Sequence, residues 1–257
     1  MHLVVDIGNT ETVVGLMAPE GEVLAHWRLS TGLPRTADEY DHLIHALLAR
    51  KGVDEGTLVR GVLGSVVPSV TERVRTALAG IIAGPVFTVG PGADLPIRLE
   101  VDEPQTVGAD RIVNTLAARD LFQRDTVAVD LGTATTFDCI TREGAFQGGV
   151  IAPGVQVGLE WLGRRAAKLP RVEFRPPDRV IGRRTEACME SGVFFSTVDA
   201  IDGMVDRIKA EWNRPDALVV ATGGYAELLA PHCRTVERVE PFLTLHGLFL
   251  AGRHMAK

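Results

Sequence analysis

Two short segments of the sequence, Asp6 to Thr12 (DIGNTET) and Asp130 to Thr136 (DLGTATT), share one pattern of residue types. Each has an aspartate, an aliphatic residue, a glycine and then small polar residues, with an apolar run on either side. Carboxylates bind cations, glycine lets the backbone approach a ligand closely, and hydroxyl and amide groups donate to phosphate oxygens. We therefore predict two strand–turn–strand units that grip one polyphosphate. A pair of ordinary hairpins with Asx turns is the competing interpretation.

The residue types within these segments predict different roles for the aspartates, the glycines and the small polar residues. Asp6 and Asp130 stand at predicted strand ends, where each could hold a cation, and Gly8 and Gly132 open the turns. The candidate phosphate donors are Asn9, Thr10, Thr133, Thr135 and Thr136. The sequence has neither a GxxxxGK[ST] loop nor a GxGxxG fingerprint, so a nucleotide would be held by a different fold.

A third candidate site is the tetrapeptide Gly108-Ala109-Asp110-Arg111, which opens a predicted helix after a long loop rich in proline and glycine. An arginine can clamp a carboxylate with two hydrogen bonds, and an aspartate can accept the proton of a hydroxyl nucleophile. An acidic residue in a first helical turn is also favoured by the helix dipole, so a purely structural role is open for Asp110.

Two glycine-containing segments and one threonine are weaker candidates. Gly148 to Gly154 and Thr222 to Gly224 both lead from a strand into a helix, where a ligand could lie on exposed backbone, although close strand–helix packing would need the same residues. Thr185 stands before a long apolar-periodic segment, where helix capping alone would explain it.

The elements that would position these residues follow from the apolar patterns. Strands are predicted three times within residues 2–30 and then at 58–67, 85–89, 126–130, 135–141, 145–151 and 217–221. Helices are predicted at 36–50, 68–78, 109–122, 154–166, 185–211, 224–229 and 241–253. Each half opens with a strand meander and continues into helices, which indicates an internally duplicated α/β protein, with residues 90–108 or the next helix as the connection.

Composition excludes several classes of protein. The 257 residues are 46% hydrophobic and 23% charged, with a net charge of −6, which is typical of a soluble globular protein and argues against a nucleic-acid-binding surface. The two arginine pairs, Arg164-Arg165 and Arg183-Arg184, are too short for such a surface. Cys139, Cys188 and Cys233 show no CxxC spacing, no histidine has metal-ligand spacing, and no signal peptide or membrane-spanning run is visible. We expect a cytoplasmic protein without a membrane partner.

Taken together, these segments resemble the type III pantothenate kinases, a family of the acetate-kinase, sugar-kinase, heat-shock-chaperone and actin superfamily. The resemblance runs nearly from end to end. It rests on Asp6–Thr10, Gly108–Arg111, Asp130–Thr136, Gly148–Gly154, Lys168–Pro170, Ile181–Thr185, Thr222–Gly224 and Leu245–Leu248. It implies the duplicated ribonuclease-H-like (actin-like ATPase) fold, with similar domains at 1–114 and 115–257 flanking a cleft.

The resemblance also implies an activity, the phosphorylation of pantothenate by ATP as the first step of coenzyme A biosynthesis. Asp110 would be the general base, Asp130 would bind a monovalent cation (potassium or ammonium), and magnesium would accompany ATP, with Asp6 as its possible ligand. The ATP phosphates would be held by Asp6, Ile7, Gly8, Asn9, Thr10, Glu11, Thr12, Val13 and Thr133. Pantothenate would contact Val101, Gly108, Ala109, Asp110, Arg111 and Thr185, with Thr185 near the interface of a homodimer.

Two departures from the family pattern are visible. Val101 stands where the family commonly has a tyrosine that touches the substrate, and Phe194 to Thr197 replaces a segment that usually contains glycine. A kinase of the same superfamily with a different small alcohol as acceptor, or a non-catalytic regulatory paralogue, would be the alternatives. A paralogue would be expected to lose Asp6, Asp110 or Asp130, and all three are present.

Overall fold

The structure is a computed structural model that describes residues 1–159, 169–170 and 172–256. Its strands are β1 (His2–Ile7), β2 (Glu11–Met17), β3 (Val23–Ser30), β4 (Arg60–Ser65), β5 (Val86–Val89), β6 (Arg98–Leu99), β7 (Thr126–Leu131), β8 (Ala134–Ile140), β9 (Ala145–Pro153), β10 (Leu218–Thr222) and β11 (Arg238–Val239). Its helices are α1 (Ala37–Lys51), α2 (Pro68–Ile81), α3 (Ala109–Phe122), α4 (Thr185–Glu211), α5 (Ala226–Leu229) and α6 (Leu243–Met255). Residues 155–159 are also helical.

The chain forms two compact units. Unit 1 comprises Met1–Leu121, Glu143–Phe146 and Phe242–Lys257, and unit 2 comprises Phe122–Arg142 and Gln147–Pro241. The chain therefore passes between the units more than once. The predicted domains 1–114 and 115–257 remain a prediction, and this grouping differs from them chiefly because α6 lies with unit 1.

Unit 1 is built on a sheet with the strand order β3-β2-β1-β4-β5. β1 runs antiparallel to β2 and parallel to β4, with Asp6 opposite Val13 on one side and Gly64 on the other. Because side chains alternate along a strand, β1 presents Leu3, Val5 and Ile7 to one core, where α1 and α2 pack. The other face of β1 and β4 packs against α6. Burial on both faces explains why β1 is a continuous apolar run.

Unit 2 repeats this arrangement. Its strands follow the order β11-β10-β7-β8-β9, in which β7 is antiparallel to β8 and parallel to β10. The apolar side of α4, from Phe194 to Ile208, packs on β7 and β10. Read from β7 outward, the order and directions match those of β1 with β2, β3, β4 and β5, so the duplication predicted from the sequence is confirmed. The first residues of β9 also pair with β6.

The element boundaries differ from the predictions in a few places. The predicted loop 90–108 contains β6 and a 3-10 helix, Pro104–Thr106, neither of which has enough residues to show periodicity. The capping interpretation of Thr185 is wrong by one position. The N-cap of α4 is Arg184, which makes no side-chain capping bond, and Thr185 is the first helical residue. Residues 160–166 of one predicted helix, Arg164, Arg165 and Lys168 lie outside the described residues.

Among the described residues, no helix combines the length and the apolar character that crossing a bilayer requires.

Gly247 on α6 makes the tightest helix contact in unit 1. A Cβ at this position would lie 2.0 Å from the carbonyl oxygen of Val113 on α3. We expect Gly247→Ala to lower the free energy of unfolding by roughly 1–3 kcal/mol, because a packed core resists an inserted methyl group. The matched control is Gly192→Ala on α4, where nothing lies within 4 Å and the helix gains up to about 1 kcal/mol. Thermal unfolding of both variants measures the difference, and equal melting temperatures would contradict the packing argument.

Candidate active site

The turn after Asp6 is a short exposed loop at the end of β1. The N–H of Gly8 donates to the carbonyl oxygen of Glu11 at 3.0 Å, which closes the turn and directs Asn9 and Thr10 to solvent. A Cβ on Gly8 would lie 3.0 Å from that same oxygen, so a larger residue would strain the turn. Asp6 itself is half-buried, and Thr12 is buried at the start of β2. The turn therefore exposes its backbone and polar side chains to solvent, while the residues that flank it are held in the sheet.

Thr31 holds this turn from behind, a role that the sequence did not reveal. Its backbone N–H donates to the carbonyl oxygen of Thr10 at 2.9 Å, and its hydroxyl lies 2.8 Å from the hydroxyl of Thr12. Both threonines are buried, so the hydroxyl pair satisfies two polar groups that would otherwise lack water. Only the pairing of β2 with β3, in which Glu11 lies opposite Ser30, brings Thr31 to the turn.

Asp110 lies in the first turn of α3. Its Oδ1 accepts a hydrogen bond from the backbone N–H of Arg111 at 2.9 Å, which orients the carboxylate. A Cβ on Gly108 would come within 2.4 Å of that oxygen, so this position needs glycine for the carboxylate to keep its place. The guanidinium of Arg111 lies over the ring of Phe146, with 4.7 Å between its central carbon and the ring centroid. The GADR segment is therefore an ordered cluster of one carboxylate and one guanidinium.

Asp6 and Asp110 are positioned through one residue of β4. Asp6 lies opposite Gly64 in the pairing of β1 with β4. A Cβ on Gly64 would lie 3.4 Å from the Cβ of Ala109, the residue before Asp110. The start of α3 therefore packs beside the end of β1, and the structure brings these two predicted site residues to the same end of the sheet in unit 1.

The corresponding turn of unit 2 is packed more tightly. The N–H of Gly132 donates to the carbonyl oxygen of Ala134 at 3.1 Å, and Thr133 is exposed at the tip. A Cβ on Gly154 would lie 2.2 Å from the carbonyl oxygen of Thr133, and one on Gly223 would lie 2.4 Å from Oδ1 of Asp130. The structure thus brings together Asp130 and the two glycine segments that the sequence had singled out.

The oxygen donors at these turns suit hard cations. Among the described residues, no cluster of three or more His, Cys, Asp or Glu side chains could form a cage for a metal ion. Magnesium needs no such cage when one or two carboxylates and the phosphates of a substrate complete its shell. Asp6 in unit 1 and Asp130 in unit 2 each supply one carboxylate beside backbone oxygens, which fits a cation that arrives with a polyphosphate.

The remaining predicted residues lie apart from these turns in the chain. Val101 is half-buried in the bend after β6, in unit 1, and Thr185 is exposed at the first position of α4, in unit 2.

Cys233 is unsuited to nucleophilic chemistry. Burial, followed by the charge of Asp202, raises the pKa of its thiol to about 12. A thiol with so high a pKa is not a nucleophile at neutral pH.

Comparison with known proteins identifies relatives over almost the whole chain. A family model described as type III pantothenate kinase matches residues 2–207. The type III pantothenate kinase of Moorella thermoacetica is 40% identical over 248 residues, which cover 96% of this chain and 97% of that protein. The type III pantothenate kinase of Syntrophotalea carbinolica is 43% identical over 249 residues, which cover 96% of each.

A solved structure supports the fold independently of close sequence similarity. The ROK family glucokinase from Streptomyces griseus, in complex with glucose and AMPPNP, aligns over 98% of both chains with a TM-score of 0.55 at 13% identity. At that identity the likeness concerns the fold alone. With the duplicated sheets of units 1 and 2, it confirms the predicted two-domain actin-like ATPase fold.

Proposed function

Because the chain belongs to the type III pantothenate kinase family, we propose that Asp110 is the general base in its phosphorylation of pantothenate by ATP, the first step of coenzyme A biosynthesis. The observation that carries this assignment is the orientation of its carboxylate. Oδ1 is held by the N–H of Arg111, and no hydrogen bond to Oδ2 is found among the described residues. One oxygen is thereby fixed by the helix while the other is left to accept a proton.

The proposed reaction transfers the γ-phosphoryl group of ATP to the hydroxyl group of pantothenate. As the hydroxyl oxygen of pantothenate forms its bond to the γ-phosphorus, its proton passes to Oδ2 of Asp110, and the bond from that phosphorus to the β–γ bridging oxygen breaks to release ADP. Such transfer is mostly positioning and charge stabilisation. Gly108, Ala109 and Arg111 would line the substrate beside the base, with the guanidinium of Arg111 as the proposed contact of the carboxylate of pantothenate. Val101 and Thr185 are proposed as further substrate contacts.

The phosphates of ATP are proposed to contact the turn from Asp6 to Val13 in unit 1 and Thr133 in unit 2. The backbone hydrogen bond from Gly8 to Glu11 and the anchoring by Thr31 support this role, because donors fixed before binding need no reordering when charge develops. Magnesium, bound with ATP and near Asp6, would neutralise phosphate charge.

We also propose the cytoplasm as the compartment, with which the three free cysteines are compatible.

We propose that Asp130 holds a monovalent cation. Its support is the close approach of Gly223 to Asp130, because a Cβ at this position would lie 2.4 Å from Oδ1 and glycine leaves that oxygen uncovered by a side chain. We expect the purified protein to convert pantothenate and ATP to phosphopantothenate and ADP with magnesium in potassium or ammonium buffer, and only weakly in sodium buffer. A coupled assay for ADP at constant ionic strength measures this. Equal rates in all three buffers would overturn the cation assignment, while absence of product in every buffer would overturn the activity.

Asp110→Asn tests the base directly. We expect kcat to fall by about 10²- to 10⁴-fold, the usual contribution of a general base, while ATP binding is retained. Asp120→Asn is the matched control, because Asp120 is exposed near the other end of the same helix. Kinetics together with calorimetric titration of ATP separate the two effects. A variant Asp110→Asn with near-normal kcat would remove this carboxylate from the proton transfer.

We also propose that the chain acts as a homodimer. Large apolar side chains are exposed on segments of unit 2 beside α4, with Ile181 at 81% exposure and Val180 at 65%. The hydroxyl of Ser191 on α4 donates to the carbonyl oxygen of Val180, which ties this segment to the helix. Association of two subunits over this segment would remove these adjacent apolar side chains from water.

Sedimentation tests this assembly. We expect the wild-type protein to sediment at twice the mass of the chain, and Ile181→Asp to shift it toward a single chain, because a buried charge without a partner is costly at an interface. The control is Val59→Asp in unit 1, where the side chain is 54% exposed. A dimer that both variants retain equally would exclude the surface at Ile181.

A further inference from the structure

Three basic side chains meet on the face of the sheet in unit 1 that α6 covers. His2 and Arg60 lie opposite each other at the starts of the parallel strands β1 and β4. Arg253 is in the last turn of α6. A Cβ on Gly252 would lie 3.2 Å from Cδ of Arg60, so the stem of Arg60 runs along the helix at the residue next to Arg253. We refer to His2, Arg60 and Arg253 as the basic cluster.

The ring of Phe249 contacts two members of the basic cluster. It packs edge-on against the ring of His2, with 5.2 Å between the centroids, and the guanidinium carbon of Arg253 lies 5.9 Å from its centroid. His2 is only 8% exposed, whereas Arg253 is exposed and Arg60 is half-buried. The cluster therefore extends from the interior of unit 1 to its surface.

No negative charge balances the basic cluster in the part of the chain that the structure describes. Neither Arg60 nor Arg253 forms an ion pair there, although eleven other arginines among the described residues are engaged by carboxylates or carbonyl groups. The Nε of Arg60 is buried and has no hydrogen-bond acceptor among the described residues. A buried donor without an acceptor costs about 1–3 kcal/mol of stability, unless something outside the chain satisfies it.

The electrostatics of His2 agree with an excess of positive charge. Burial lowers the pKa of its imidazole, and the charges of Arg60, the amino group of Met1 and Arg253 lower it further. All three neighbouring charges are positive. Two further neighbours, Met17 opposite it on β2 and Phe249 on α6, are apolar. This concentration of like charge occurs in a chain whose net charge is −6.

We propose that the basic cluster is a binding site for a tetrahedral dianion of the phosphate type. Guanidinium groups bind phosphate through paired, charge-assisted hydrogen bonds, and Arg60 and Arg253 supply two of them from different elements. The site is separate from the phosphate turn of the kinase reaction. Asp6 lies four residues further along β1, or about 13 Å away at the usual rise of a strand.

Binding at this site has a defined pH dependence. The pKa of His2 in the folded protein lies below the ordinary value of 6.5, so the unfolded chain takes up a proton first as the pH falls. The contribution of His2 to stability is therefore complete above about pH 6.5 and is lost below it. A dianion beside the imidazole favours the protonated ring. It should therefore bind more tightly at pH 6.0 than at pH 7.5 and reduce the loss of stability in acid.

The experiment titrates sulfate, which keeps its two charges across this range, against the full chain at constant ionic strength held with sodium chloride. We expect sulfate to raise the melting temperature, with higher affinity at pH 6.0. Arg60→Gln and Arg253→Gln should each weaken binding at least about tenfold, the loss typical of one charge-assisted hydrogen bond. His2→Gln should remove the pH dependence. Arg50→Gln, at an exposed arginine near the end of α1, is the matched control.

Three results would overturn the proposal. They are equal sulfate affinity in wild type, Arg60→Gln and Arg253→Gln, an equal shift with chloride alone, or complete displacement of sulfate by ATP, which would place the ion at the kinase turn. Arg253 is exposed, so its variant decides the question if Arg60→Gln does not fold.

Inorganic phosphate and phenyl phosphate, compared in the same assay at pH 7.5, distinguish the sources of the dianion. Tighter binding of phenyl phosphate would indicate a phosphorylated metabolite, and tighter binding of inorganic phosphate would indicate the free ion.

Discussion

Close packing at a few glycines is the constraint on which the candidate site depends. Gly247 lets α6 lie against the backbone of α3, and a Cβ on Gly64 would lie 3.1 Å from Leu248 on α6 and 3.4 Å from Ala109 at the start of α3. In unit 2, Gly154 and Gly223 admit the turn around Asp130 in the same way. Packing at protein density transmits small displacements, so a methyl group at Gly247 or Gly154 would displace the neighbouring backbone, whereas one at Gly223 would clash with Asp130 itself.

The two units share one sheet topology but carry different chemistry. In unit 1 the residue opposite Asp6 is Gly64, which lies beside Ala109 at the start of α3. In unit 2 the residue opposite Asp130 is Thr222, which is buried, and Gly223 follows it with a positive φ of 89°. A duplicated framework thus places a helix with an acid–base group at one turn and a tight polar backbone at the other. The proton chemistry proposed for the enzyme has a place in unit 1 alone.

The sequence predicted the framework because its signals are local. Continuous apolar runs predicted β1, β4 and β7. The helices α3 and α4 begin and end at the predicted residues, because a helical apolar period that continues over many residues identifies a helix clearly. What it missed depends on contacts between distant segments. β6 has two residues and exists only because β9 pairs with it, and the role of Thr31 needs the register of β2 with β3. The sequence identified the glycine segments as candidates, but only the structure shows which atoms a side chain at these glycines would clash with.

The membership of α6 in unit 1 has a consequence for how this protein is made. The strands of unit 1 leave the ribosome before unit 2, yet the helix that covers one face of their sheet emerges only after unit 2. Unit 2 lies between them in the chain and can complete its own core sooner. The usual order, in which the N-terminal part folds first during synthesis, is therefore reversed. Until α6 emerges, the exposed face of β1 and β4 is a surface for chaperones to protect.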